Sequence, residues 1–190
     1  MKQTIYVFAL IAILFSCNTE KKHTEKELCV LNLIEYINKN DVPKVDSITS
    51  KDFQLINDSS TINKKGFLRN AALKEANKTV QIIKIETVDG IVKTKEKIVD
   101  DFITYLDLKP FERTREYHFN ENNLIKSIFV IEYSNSPEYV NSQRKFIIWA
   151  QNEYPDLFKK MLVKYQNREN IDEERRFLLT KLKNKGISAL

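Results

Sequence analysis

Residues Ile5 to Phe15 form an uninterrupted apolar run behind Lys2, and polar residues from Asn18 to Glu27 end it. At about eleven residues the run is too short for a bilayer span, which takes ~20, but it suits the apolar region of an export signal. The pattern then becomes helical: Leu28, Leu31 and Ile34, flanked by Val30, Leu33 and Ile37, make a broad apolar stripe through Asn38. Thr24-Glu25-Lys26-Glu27 has the spacing of a capping box and predicts the helix start at Thr24. Asn40-Asp41-Val42-Pro43 breaks this helix, and Pro43 suits the first turn of a short second one ending near Ile48. Phe53, Leu55 and Asn57 alternate as a brief strand. After a polar loop from Asn57 to Thr61, Asn63 is placed as the N-cap of a helix over Lys64 to Asn77, with Phe67, Leu68, Ala71, Ala72 and Ala76 inward.

From Val80 the period changes to extended. Val80 to Val88 is rich in β-branched residues and stops at Asp89-Gly90, a hairpin-type turn. A long strand is expected over Ile91 to Leu106, a break at Asp107 to Pro110, a third strand over Phe111 to Phe119, a turn at Asn120 to Asn123 and a fourth strand over Leu124 to Tyr133. Extended segments joined by short turns imply antiparallel pairing, because a parallel pair needs a crossover of a dozen residues. Beyond Pro137 the period is helical again, over Glu138 to Asn152, from Tyr154-Pro155 to Gln166, and over Ile171 to Lys183, with Gly186 as the stop. Helices, then a sheet, then helices make an α+β pattern: a curved antiparallel sheet packed on N-terminal helices, followed by a C-terminal helical extension.

Leu14-Phe15-Ser16-Cys17 sets a small residue directly before a cysteine and resembles the bacterial lipobox. The resemblance implies that residues 1–16 are a lipoprotein signal peptide, that Cys17 carries the lipid, and that two or three acyl chains make a durable anchor. Residues 17–23 are then a tether, 24–134 the α+β domain and 135–190 the helical extension. The expected location is the bacterial cell envelope. No acidic cluster of the kind that resembles surface-export signals follows Cys17, which favours a lipid-anchored, periplasm-facing place at the outer membrane.

With Cys17 lipidated, Cys29 is left alone, so no internal disulfide forms and the fold must rest on its core. Two histidines, one of them in the tether, do not supply a zinc cluster, and neither metal nor cofactor is expected. The formal charge of +5 comes from lysines interspersed with glutamates, as in Lys93-Thr94-Lys95-Glu96-Lys97, rather than from the single-signed patch that nucleic acid needs.

Tyr36 to Phe53, with its Asn/Asp break and short helix, and Glu116 to Ile128, an aromatic-ended hairpin with an Asx-rich turn, resemble the nuclear transport factor 2-like superfamily, especially its SnoaL-like branch. The similarity runs from Lys26 to Tyr133, a little over half of the chain. Asn122-Asn123 stands where the family often has glycine; asparagine tolerates left-handed backbone, so the turn survives. The resemblance implies a sheet curved around a long helix into a cone, a pocket on its concave side, and homodimers formed through the outer face of the sheet.

Family members that catalyse use an aspartate or histidine inside an apolar cone, where desolvation raises carboxylate basicity. The residues offer Asp100 or Asp101 with His118 as the acid/base candidates. Tyr105, Tyr117, Phe119 and Phe129 are expected to line or back the cone, with Trp149 closing its mouth or anchoring the extension. The favoured expectation is a lipid-anchored module that binds a small apolar ligand or an envelope protein without chemistry. The alternatives are a SnoaL-like isomerase, cyclase or hydrolase, and a structural partner protein that uses its C-terminal helices.

Overall fold

The expected stripe winds into α1 (Glu25–Lys39), which buries Val30, Leu33 and Ile34 under the sheet and leaves Leu28 exposed. In the computed structural model, which describes residues 23–72, 78–134, 137–167 and 169–185, the predicted capping box is in place. Glu27 N–H donates to the Thr24 hydroxyl at 3.1 Å, and the Thr24 N–H donates to the Glu27 carboxylate at 3.0 Å. Asn40 ends the helix in left-handed conformation. Asp41 then caps α2 (Val42–Ile48), whose Pro43 lies in the first turn.

The strands are β1 (Thr49–Asn57), β2 (Ser60–Asn63), β3 (Thr79–Val88), β4 (Ile91–Val99), β5 (Phe111–Phe119) and β6 (Ile125–Tyr133), with α3 (Lys64–Ala72) between β2 and β3. They form one curved, mixed sheet in the order β2-β1-β6-β5-β4-β3. From β3 to β6 each strand is antiparallel to the next, as short turns require. Departing from the purely antiparallel expectation, β1 pairs with β6 in parallel, Leu55 opposite Ile128, which the long chain between them permits. Asp89 and Gly90 have φ of 51° and 78° at the β3–β4 turn, and Asn123 has φ of 58° at the β5–β6 turn, where the asparagine fills the place glycine often takes.

The loop expected at residues 57–61 gives way to β2, whose Ser60 pairs with Asn57. On α3 Phe67 and Ala71 are buried but Ala72 is exposed, and Ala76 lies outside the described residues. The largest correction concerns residues 91–106: the strand stops at Val99, and α4 (Asp101–Leu106) takes over. Asp100 forces the change, because its side chain accepts the Ile103 N–H at 2.9 Å and caps the helix.

The C-terminal helices are α5 (Pro137–Glu153), α6 (Pro155–Asn167) and α7 (Asp172–Asn184). One apolar cluster joins them to the far end of the sheet: Val80, Ile98 and Phe111 pack with Phe102 and Ile103 of α4, Phe146 and Trp149 of α5, and Leu178, Leu179 and Leu182 of α7. A second cluster joins Val30 and Leu33 of α1 to Phe53, Val92, Tyr117, Ile125 and Ile128. Among the described residues no helix is long and apolar enough to cross a membrane.

Candidate functional site

Between the two apolar clusters, the inner face of the β4–β5 pair is polar. Directly opposed residues share a face, so the pairs Val92–Tyr117, Thr94–Arg115, Glu96–Arg113 and Ile98–Phe111 line up inward. All eight side chains are buried, Glu96 and Tyr117 at 0% exposure. Glu96 Oε2 accepts Arg113 Nε–H at 2.6 Å, while Oε1 accepts the Tyr117 hydroxyl at 2.5 Å and the Thr94 hydroxyl at 2.9 Å. Arg115 Nη1 stands 3.7 Å from Oε2.

Burial pushes the Glu96 carboxyl upward, yet the Arg115 and Arg113 guanidiniums, with the Tyr117 and Arg113 hydrogen bonds, hold it below the ordinary glutamate value. Burial and the Glu96 carboxylate push the Tyr117 phenol well above its usual value, so it stays a proton donor. Burial and the neighbouring Arg115 lower Arg113. A carboxylate so held is a weak base, and both its oxygens are occupied. The cluster fixes strand register and shape; it has no proton acceptor poised for transfer.

The sequence candidates fall in three places. Asp100 is buried at the base of α4, where Oδ1 caps the helix and Oδ2 accepts the Tyr139 hydroxyl of α5; Asp101 lies buried in the first turn. His118 is on the outer face, edge-on to Phe129 at 4.9 Å between ring centroids and 3.7 Å from Glu116. It sits beyond the Val92–Tyr117 pair, whereas Asp100 follows the Ile98–Phe111 pair at the other end of the hairpin, roughly 20 Å or more away. The structure therefore does not bring Asp100 or Asp101 together with His118.

The five aromatics divide as well. Tyr117 and Phe119 join the α1-side cluster, while Tyr105 and Trp149 join the cluster shared with the extension. Phe129, opposite Glu116, faces outward. Cys17 lies outside the described residues. Among those described, no group of three or more His, Cys, Asp and Glu is placed to hold a metal.

Glu96, Arg113 and Arg115 escaped the reading of the sequence as a site. Their signal was phase: Glu96 alternates in step with Val92 and Ile98, and the arginines with Phe111 and Tyr117. Charged residues in the inward phase of a buried strand predict one another as partners. The flanking lysines of β4 masked this, since Lys93 and Lys95 pair outward with Glu116 at 2.7 Å and Glu112 at 2.6 Å.

Fold and site together define an α+β protein with a curved mixed sheet, its inner face tied by a buried charge cluster and its far end built into a helical extension. The chain matches no protein-family model and no curated protein. Solved structures similar to it include a nuclear transport factor 2-like protein of unknown function from Cytophaga hutchinsonii, with 14% identity and a TM-score of 0.49 over 63% of this chain and 98% of that one. A cystatin-fold protein from Novosphingobium aromaticivorans has 16% identity and a TM-score of 0.48 over 58% and 100%. An LEH-like epoxide hydrolase of M. tuberculosis has 14% identity and a TM-score of 0.47 over 58% and 83%. At these identities and scores the likeness is one of shape, and no activity is carried over from it.

Proposed function

We propose that this protein is a lipid-anchored component of the bacterial cell envelope, facing the periplasm, in which a nuclear transport factor 2-like domain binds another envelope protein and performs no chemistry. The observation that carries this reading is the filled inner face. With Glu96 and Tyr117 at 0% exposure, a small ligand cannot touch either without displacing the protein's own side chains. The Glu96 carboxylate, at 0% exposure, is neutralised by arginine rather than raised in basicity by an apolar setting. Exposed Val140, Ile147 and Ile148 follow helical spacing on α5, and Leu162 and Val163 are exposed on α6, which supports a protein contact on the extension.

The test uses the full chain in a Gram-negative envelope with a photocrosslinking residue in place of Ile148. A discrete protein adduct that disappears with Ile147→Asp supports the reading. Absence of any adduct, together with a small apolar molecule retained by the purified protein, overturns it in favour of ligand binding. Metabolic labelling with a fatty-acid analogue, lost in Cys17→Ser, tests the anchor separately.

A further inference from the structure

The start of α1 is pinned to one end of the sheet. The Thr87 hydroxyl donates to Glu27 Oε1 at 3.1 Å, Lys26 Nζ donates to the Gly90 carbonyl at 3.3 Å, and the same ammonium lies 5.4 Å from the Phe119 ring centroid. Because the start of β4 pairs with the end of β5, the β3–β4 and β5–β6 turns share this end. The helical extension is at the other, beyond Ile98 and Phe111. From Ile91 to Ile98 the sheet runs roughly 24 Å, and a helical layer adds about 10 Å.

Six Cα steps separate Cys17 from His23, where the described chain begins, and fully extended they reach roughly 20 Å. That reach is shorter than the body. From this we infer that the domain stands on the membrane with the β3–β4 turn and the first turn of α1 toward the lipid headgroups, and the helical extension raised roughly 25 to 35 Å above them. The inference rests on lipid anchoring at Cys17 as proposed above. An inverted pose would drive the extension through the headgroups, because the tether cannot lift the opposite end far enough. A pose lying on the outer sheet face would set the Glu116 and Glu112 carboxylates, whose partners Lys93 and Lys95 are already engaged, against anionic headgroups. Exposed Leu28 and Val88 border the end turned to the lipid. The exposed apolar positions of α5 and α6 are then held beyond the reach of the bilayer, on the side open to the partner proposed above.

The test takes lipidated full-length protein in a Cys29→Ser background, bound to phosphatidylethanolamine/phosphatidylglycerol vesicles that carry a headgroup energy acceptor. A donor dye on Glu121→Cys should be quenched at least twofold more than one on Lys183→Cys, and a long Gly/Ser insertion after Cys17 should narrow the gap. Equal or reversed quenching on a chain whose mass includes the lipid overturns the orientation alone. A mass without lipid overturns the orientation together with the anchor.

Discussion

Glu96 holds two strands in register by satisfying an arginine, a tyrosine and a threonine at once, so its charge matters more than its size. Glu96→Gln keeps the shape but removes the buried negative charge that faces Arg113 at 2.6 Å and Arg115 at 3.7 Å. It should cost about 3 to 5 kcal/mol, read as a lower urea midpoint at unchanged slope. The same change at outward-facing Glu116 should cost under about 1 kcal/mol. Glu174 supplies the pH dependence. Lys164, donating at 2.5 Å, then the Glu174 backbone N–H and Lys160, pull its carboxyl down to about 2 against the opposing effect of burial. The unfolded chain, titrating near the usual ~4.3, binds more protons in that interval. Stability is thus full above about pH 5 and is lost as pH falls toward 2, and Glu96 adds in the same direction. Thermal midpoints measured from pH 5 to 2 should fall, and more shallowly in Glu174→Gln.

At the level of elements, termini with local causes were legible in the sequence. The capping box fixes α1 because every atom it needs lies within four residues, and Pro110 and Asn120 bound β5 because they flank a β-rich run. The passage from β4 to α4 was not legible. Val99 to Leu106 is rich in β-branched and aromatic residues, as a strand is, and a helix of six residues is too short for its period to show. What decides it is the Asp100 carboxylate, split between the Ile103 N–H and the Tyr139 hydroxyl 39 residues away. Asp100→Ala should therefore cost about 2 to 3 kcal/mol in equilibrium unfolding, more than a cap alone, and Tyr139→Phe about 1 kcal/mol.

For the whole molecule, the extension and the sheet share one core. Trp149, packed with Phe146 and Tyr154 in the cluster that holds Ile98 and Phe111, is an anchor between the two. Trp149→Ala should cost about 3 to 5 kcal/mol, and a denaturant midpoint equal to the parent's would refute the shared core. Truncation after Ser134 should abolish cooperative unfolding, because it bares Ile98, Phe102, Ile103 and Phe111 together. A sharp, reversible transition in the truncated chain would instead make the extension an independent arm.

The amino-acid sequence by itself determined the order of helices and strands apart from β2 and α4, the antiparallel run from β3 to β6 and the single-cysteine body, because periodicity, turn residues and caps act over a few neighbours. It also held the inward phase of Glu96, Arg113 and Arg115 without naming them as partners. Tertiary structure alone decided that β1 joins β6 in parallel, that the Asp100 carboxylate is shared with Tyr139 of α5 and lies at the opposite end of the hairpin from His118, and that a charge cluster fills the inner face. Each of these depends on groups far apart in the chain whose burial makes pairing obligatory. A residue's periodicity gives its side; only the packed fold supplies what stands opposite it.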